Sequence, residues 1–191
     1  VDEAARLGMH WWLYDEGGWP SGQALGKVTE GHPELLQHRL ARECIEAKET
    51  YTVPQDALIL IVEGTPRKAI TPGGTWAPQP GEEAFLYRVV TGGYVDLLTP
   101  AATDRFIALT HEGYKRAIGH HFGKTVRFTF TDEPGAPNLD PPKTITWTPG
   151  FEAAYTQQFG KNLFDILPSL FVVPGPEISV AEAQARVDFY D

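Results

Sequence analysis

One cysteine, Cys44, is too few for an internal disulfide framework, and it says nothing about redox compartment. Positive charge is scarce as well. Sixteen Lys and Arg face 25 Asp and Glu across 191 residues, a net charge of −9. So acidic a chain repels nucleic acid and anionic membranes unless its basic residues cluster, and it has no strong Lys/Arg cluster. No apolar run approaches the roughly 20 residues of a membrane span. Internal repeats and low-complexity tracts are also lacking. What remains is ordinary globular composition, 42% apolar and 21% charged, which excludes a disordered chain or a coiled coil. Five Trp, seven Tyr and ten Phe form a heavy aromatic load that suits either a core or stacking on sugars.

The chain opens in a helical pattern, Asp2 to Leu7, with Gly8 placed as its cap, and closes in another, Ile178 to Tyr190. Complete domains usually begin and end in surface loops. The expectation is a fragment, residues 1–191, of one larger catalytic domain, with its cellular location left open. Met9 to Tyr14 is an aromatic-rich strand candidate, followed by a loop from Asp15 to Gly22. His32 to Lys48 reads as a helix, with Pro33 in its first turn and Leu35, Leu36, Leu40 and Ile45 at near-helical spacing. On that helix Cys44 is a packing residue. Ala57 to Glu63 and Ala84 to Val90 are short apolar runs around a Gly/Pro/Thr-rich stretch, which makes residues 50–93 a small β-rich insertion. Tyr94 to Leu98 is a further strand candidate, and a helix runs from Thr99-Pro100 to about His121. Val126 to Thr131 is the clearest strand, ended by Asp132-Glu133-Pro134. Short helices cover Phe151 to Phe159 and Leu163 to Phe171. Without the insertion, helices and strands alternate, which predicts an α/β fold with parallel strands. A partial (β/α)8 TIM barrel of about three β/α units and an open doubly wound sheet both fit.

Two acidic pairs, Asp15-Glu16 and Asp132-Glu133, end two of these strands. In parallel α/β folds the chemistry gathers at the C-terminal strand ends. Period-two alternation puts Trp12, Tyr14 and Glu16 on one face of the first strand. It puts Thr129, Thr131 and Glu133 on one face of the other, with Val126, Phe128 and Phe130 packed under helices. Glu16 and Glu133 then share a pocket, and Asp15 and Asp132 point sideways. Two such carboxylates suit glycoside hydrolysis, one protonating the leaving oxygen and the other activating water or attacking the anomeric carbon. Strand-end acids also cap helices, bind backbone amides or sit in solvent. Trp147, in a loop before a helix, is either a sugar platform or a core cover.

Other motifs fall short. The Walker spacing fails at Ser21 and Val28, and Ser21 lacks the glycine spacing of a nucleophile elbow. His111-Glu112 has no second histidine of a zinc helix, and the adjacent His120-His121 are expected to point apart. No metal ligand is assigned.

Trp12-Leu13-Tyr14-Asp15-Glu16 followed by Gly18-Trp19-Pro20-Ser21-Gly22 resembles a stretch of the α-L-rhamnosidase-like glycoside hydrolases, family 106 and its uncharacterised relatives. Phe122-Gly123-Lys124-Thr125, Phe130-Thr131-Asp132-Glu133-Pro134, Trp147-Thr148-Pro149 and Leu167-Pro168-Ser169-Leu170-Phe171 extend the resemblance along most of the chain. The loop Gly22-Gln23-Ala24-Leu25-Gly26 departs from a Gly-rich run usual in the relatives. The resemblance implies a (β/α)8 catalytic domain in a large multidomain enzyme that hydrolyses a terminal glycoside, best an α-L-rhamnoside, by an inverting mechanism. It admits calcium near the sugar hydroxyls. Glu133 then becomes the general acid and Glu16 the second catalytic carboxylate. Asp15, Asp132, Trp12, Tyr14, Trp19 and Trp147 become substrate-binding residues. The implied partners are a carbohydrate substrate, the rest of the barrel and accessory domains, with no nucleic acid and no membrane. Three other readings remain: a carbohydrate-binding relative without turnover, a metal-dependent hydrolase with the four acids around Ca²⁺ or Mg²⁺, and a domain with no site of its own.

Overall fold

The computed structural model describes residues 1–135, 143–172 and 178–190. The chain forms two compact units, one of Val1–Gln37 and Gly92–Pro137 and the other of His38–Thr91 and Asn138–Asp191.

The first unit begins with α1 (Asp2–Arg6), whose acidic first turn and basic last turn complement the helix dipole. β1 (Trp11–Tyr14) pairs in parallel with β8 (Val126–Phe130), with Trp12 opposite Phe128 and Tyr14 opposite Phe130. A long loop leads from β1 to a 3₁₀ turn at Pro33–Leu35. α2 (Pro100–Leu109) and α3 (His111–Ile118) fill the place of the single helix expected between Thr99 and His121. They break at Thr110, whose hydroxyl and N–H both donate to the Phe106 carbonyl. The Asp96 side chain accepts from the Leu98 N–H and the Thr99 hydroxyl just before α2, and Pro100 occupies the first turn. The small core holds Val28, Leu35, Tyr94, Val95, Ala102 and Phe106. The Arg105 guanidinium donates to the Val28 and Lys27 carbonyls and fastens α2 to the long loop.

The second unit carries β2 (Leu36–Cys44) from His38 on, β3 (Tyr51–Thr52), β4 (Ile59–Glu63), β5 (Lys68–Ile70), β6 (Thr75–Trp76), β7 (Glu83–Val95) as far as Thr91, and β9 (Thr144–Trp147). Five of them form one sheet in the order β5-β4-β7-β2-β9. The pairs β5–β4, β4–β7 and β2–β9 are antiparallel, and β3–β6 is a separate antiparallel pair. Alternation serves both faces. Ile59, Ile61 and Tyr87 face a core with Leu40, Ile145 and Trp147, closed by α4 (Phe151–Phe159), α5 (Leu163–Leu170) and α6 (Val180–Tyr190). Leu60, Val62, Ala84 and Leu86 face a second cluster with Val53 and Trp76. Asn162 caps α5 by accepting from the Phe164 N–H. Arg186 of α6 donates to the Ser169, Leu170 and Val172 carbonyls, which satisfies the end of α5.

This is a mixed fold dominated by an antiparallel sheet, and it overturns the expected partial (β/α)8 barrel. Helix–strand alternation is absent because residues 36–44 are β2 and not a helix. Leu, Gln, Arg, Ala and Glu there are good helix formers, but Leu40 is buried opposite Ile145 of β9 and the sheet overrides that propensity. Cys44 lies exposed at the end of β2, so it is not a packing residue. Among the described residues one strand pair, β1–β8, is parallel. No helix among them is long and apolar enough to cross a membrane.

Candidate functional site

The first unit brings the two acidic pairs together at the C-terminal ends of β1 and β8. The Asp15 N–H extends the ladder by donating to the Phe130 carbonyl, 3.1 Å away. Asp15 itself is buried and both its oxygens are used. Oδ1 accepts from the Ser21 hydroxyl and Oδ2 from the Thr131 hydroxyl, each at 2.7 Å. Ser21 in turn accepts from the Asp132 N–H with Oγ and donates its own N–H to the Asp132 carbonyl, both at 2.9 Å. The Tyr94 hydroxyl donates to the Ser21 carbonyl. Asp15 is therefore a positioning residue that knots the loop after β1 to the end of β8. Gly22 is required beside this knot. Its φ is +119°, and a Cβ there would meet Leu97 Cδ2 at 3.0 Å and the Tyr94 hydroxyl at 3.2 Å.

Glu16 has a different environment. It is 5% exposed, and Oε2 accepts the Ala24 N–H, whereas Oε1 has no hydrogen-bond partner among the described residues. A buried carboxylate oxygen without a partner carries a desolvation cost. Glu16 lines a groove of about 450 Å³ together with Gly17, Leu25, Lys27, Thr110 and Tyr114. The turn that presents the Ala24 N–H is strained: Ala24 and Leu25 have φ of 50° and 57°. A left-handed backbone costs a non-glycine residue roughly 1–2 kcal/mol. Glu133 is held the same way, with φ of 45°, and its side chain is exposed. Strain of this kind concentrates at functional sites.

Asp132 is half-buried, with Oδ2 3.5 Å from the Tyr14 hydroxyl, which also donates to the Gly18 carbonyl. Burial first, then the Asp132 carboxylate and those of Asp15 and Glu16, hold the Tyr14 phenol above its ordinary pKa. Tyr94 is raised too, chiefly by burial, partly offset by a backbone hydrogen bond at Gly135.

An aromatic shelf leads to these acids. Trp12 packs against Phe128 in a tilted pair with centroids 5.4 Å apart, and Tyr14 against Phe130 in the same way at 5.6 Å. Trp12 is 62% exposed, and Trp19, Phe128 and Phe130 are exposed as well. Phe128 and Phe130 thus leave the buried face expected of them. The parallel register sets them beside Trp12 and Tyr14; Leu13 is buried on β1, and on β8 Val126 alone is buried, before the register irregularity at Trp11/Trp12. Trp147 does not join the shelf. It lies on β9 and not in a loop, 2% exposed in the core of the second unit.

Asp15, Glu16, Asp132, Glu133, Trp12, Tyr14 and Trp19 all belong to the first unit. Sequence reasoning missed the left-handed Ala24 and Leu25, which neither Gly nor Asn signals, and the long-range partners Tyr94, Thr131 and Tyr114. Calcium does not fit the acids. Among the described residues no three of them bring oxygens close enough to hold one ion, and Asp15 has none to spare. Comparison with family models, curated proteins and solved structures yields no match to this chain.

Proposed function

We propose that this chain is a glycoside hydrolase acting at the ends of β1 and β8, with a terminal α-L-rhamnoside as the substrate to try first. Glu133, as its carboxylic acid, gives a proton to the glycosidic oxygen as the bond to the anomeric carbon breaks. Water attacks that carbon, and the Glu16 carboxylate takes the water's proton. Tyr14 and Asp132 orient sugar hydroxyls, and Trp12 and Trp19 stack on the apolar faces of the sugar rings. Asp15 touches no substrate and keeps the two strand ends in register.

The observation that carries this reading is the buried Glu16 carboxylate at the lining of a groove, beside the strained Ala24–Leu25 turn, with its Oε1 lacking a hydrogen-bond partner among the described residues. Asp15, by contrast, has both oxygens filled by the Ser21 and Thr131 hydroxyls. The test is hydrolysis of a panel of nitrophenyl glycosides, the α-L-rhamnoside included, by the chain and its Glu133→Gln variant. Turnover on one sugar class that falls about 10²–10⁴-fold in the variant is expected. Turnover on none of them, or turnover that Glu133→Gln leaves intact, overturns the assignment. Sugar binding without turnover would leave the aromatic shelf as a binding platform.

A further inference from the structure

We propose that Asp2, His120 and His121 form a binding site for a divalent metal ion of the zinc type, separate from the strand-end carboxylates. Adjacent histidines are expected to diverge, but these two do not. The 3₁₀ turn Gly119–His121 followed by extended Phe122 sets their rings side by side, with centroids 4.1 Å apart. Both present Nε2 to one oxygen, Asp2 Oδ1, at 2.6 Å from His121 and 3.8 Å from His120. All three donor atoms lie within 4.8 Å of one another, and among the described residues no other trio of His, Cys, Asp or Glu converges this way.

The chemistry selects the ion. Two imidazoles and one carboxylate suit zinc, cobalt(II), nickel(II) or copper(II) and not calcium or magnesium, which prefer all-oxygen sets. Bonds of about 2.0–2.1 Å in a tetrahedron hold donors about 3.3 Å apart. The two observed separations from Asp2 bracket that value and the histidine nitrogens lie within 4.8 Å of each other, so binding requires Asp2 to move off His121 by under about 1 Å and the two rings to close on the ion. Asp2 has that freedom: it is 91% exposed, in the first turn of α1. Three protein ligands leave the fourth position to water. Asp2 precedes β1 and His121 precedes β8, whereas the four acids follow those strands. In a parallel pair these are opposite ends, so the ion takes no part in the reaction at the acids. It fastens α1 to the turn before β8 and stabilises the first unit by mass action.

The test is calorimetric titration of zinc chloride into tag-free, chelator-stripped protein near pH 7, with thermal melting alongside. One equivalent of saturable zinc at micromolar concentration and a raised melting temperature are expected. Asp2→Asn and His120→Gln, both at exposed positions, should each weaken binding at least about tenfold, and Glu3→Gln should leave it unchanged. Cobalt(II) should give the intense visible absorption of a tetrahedral site. No saturable zinc uptake, or uptake indifferent to both Asp2→Asn and His120→Gln, overturns the site.

Discussion

The two units use the same residue types to opposite ends. In the second, strand aromatics are interior: Trp147 and Tyr87 are sealed between the sheet and helices α4 to α6, with Phe171 packed edge-on to Tyr87. In the first, strand aromatics are largely exterior: Trp12, Phe128 and Phe130 are exposed, and half-buried Tyr14 pairs with Phe130 across β1 and β8. The polar groups do not follow this division. Each unit keeps a buried glutamate oxygen without a hydrogen-bond partner among the described residues, Oε1 of Glu63 in the second and Oε1 of Glu16 in the first. Among the described residues the three left-handed non-glycine positions, Ala24, Leu25 and Glu133, all lie in the first unit. One unit seals its aromatics in a core, and the other holds exposed rings and strained turns at some cost in stability.

That contrast can be broken in the core first. Trp147→Ala should destabilise the second unit by about 3–5 kcal/mol, seen as a large fall in the denaturant midpoint. A fall under about 1 kcal/mol would mean that Trp147 is not core. Tyr87 gives the next largest effect. Burial pushes its phenol up to about 12 from 10.0. The fold favours the neutral phenol, so its contribution is whole below pH 10 and is lost as pH rises through about 12. That loss is roughly 3 kcal/mol, and Tyr87→Phe should flatten it in alkaline unfolding curves. Asp15→Ala should cost about 1–3 kcal/mol in the first unit, because the Ser21 and Thr131 hydroxyls both lose a buried acceptor. Trp12→Ala should cost no more than about 1 kcal/mol in stability while reducing the sugar-induced change in tryptophan fluorescence to the part that Trp19 supplies. A Trp12 variant as unstable as the Trp147 variant would erase the distinction between the two units.

The legible parts of the sequence were those set by local rules. α4 and α5 follow from apolar spacing and Gly or Asn at their ends, and β8 from its β-branched and aromatic run closed by Asp132-Glu133-Pro134. What failed depends on distant partners. Residues 36–44 look helical until Leu40 meets Ile145 from a strand far along the chain. Strand direction carries no local mark, so antiparallel pairing of β4, β5 and β7 read as an insertion into a parallel fold. The acidic pairs were visible as candidates. Which acid is structural was not, because the partners of Asp15 sit at Ser21 and at Thr131 on the other strand. The alternation rule misplaced Phe128 and Phe130 because β8 is exposed on both faces after Val126. His120 and His121 were expected to point apart, but the 3₁₀ turn at Gly119–His121 brings their rings together.

The most direct test of this account is Glu16→Gln, followed by turnover and thermal melting on the same preparation. Removing a buried charge whose second oxygen has no partner should leave the melting temperature unchanged or raise it, while hydrolysis of the preferred nitrophenyl glycoside falls by about 10²-fold or more. Turnover that survives the substitution, or that falls only as far as the protein unfolds, would contradict it.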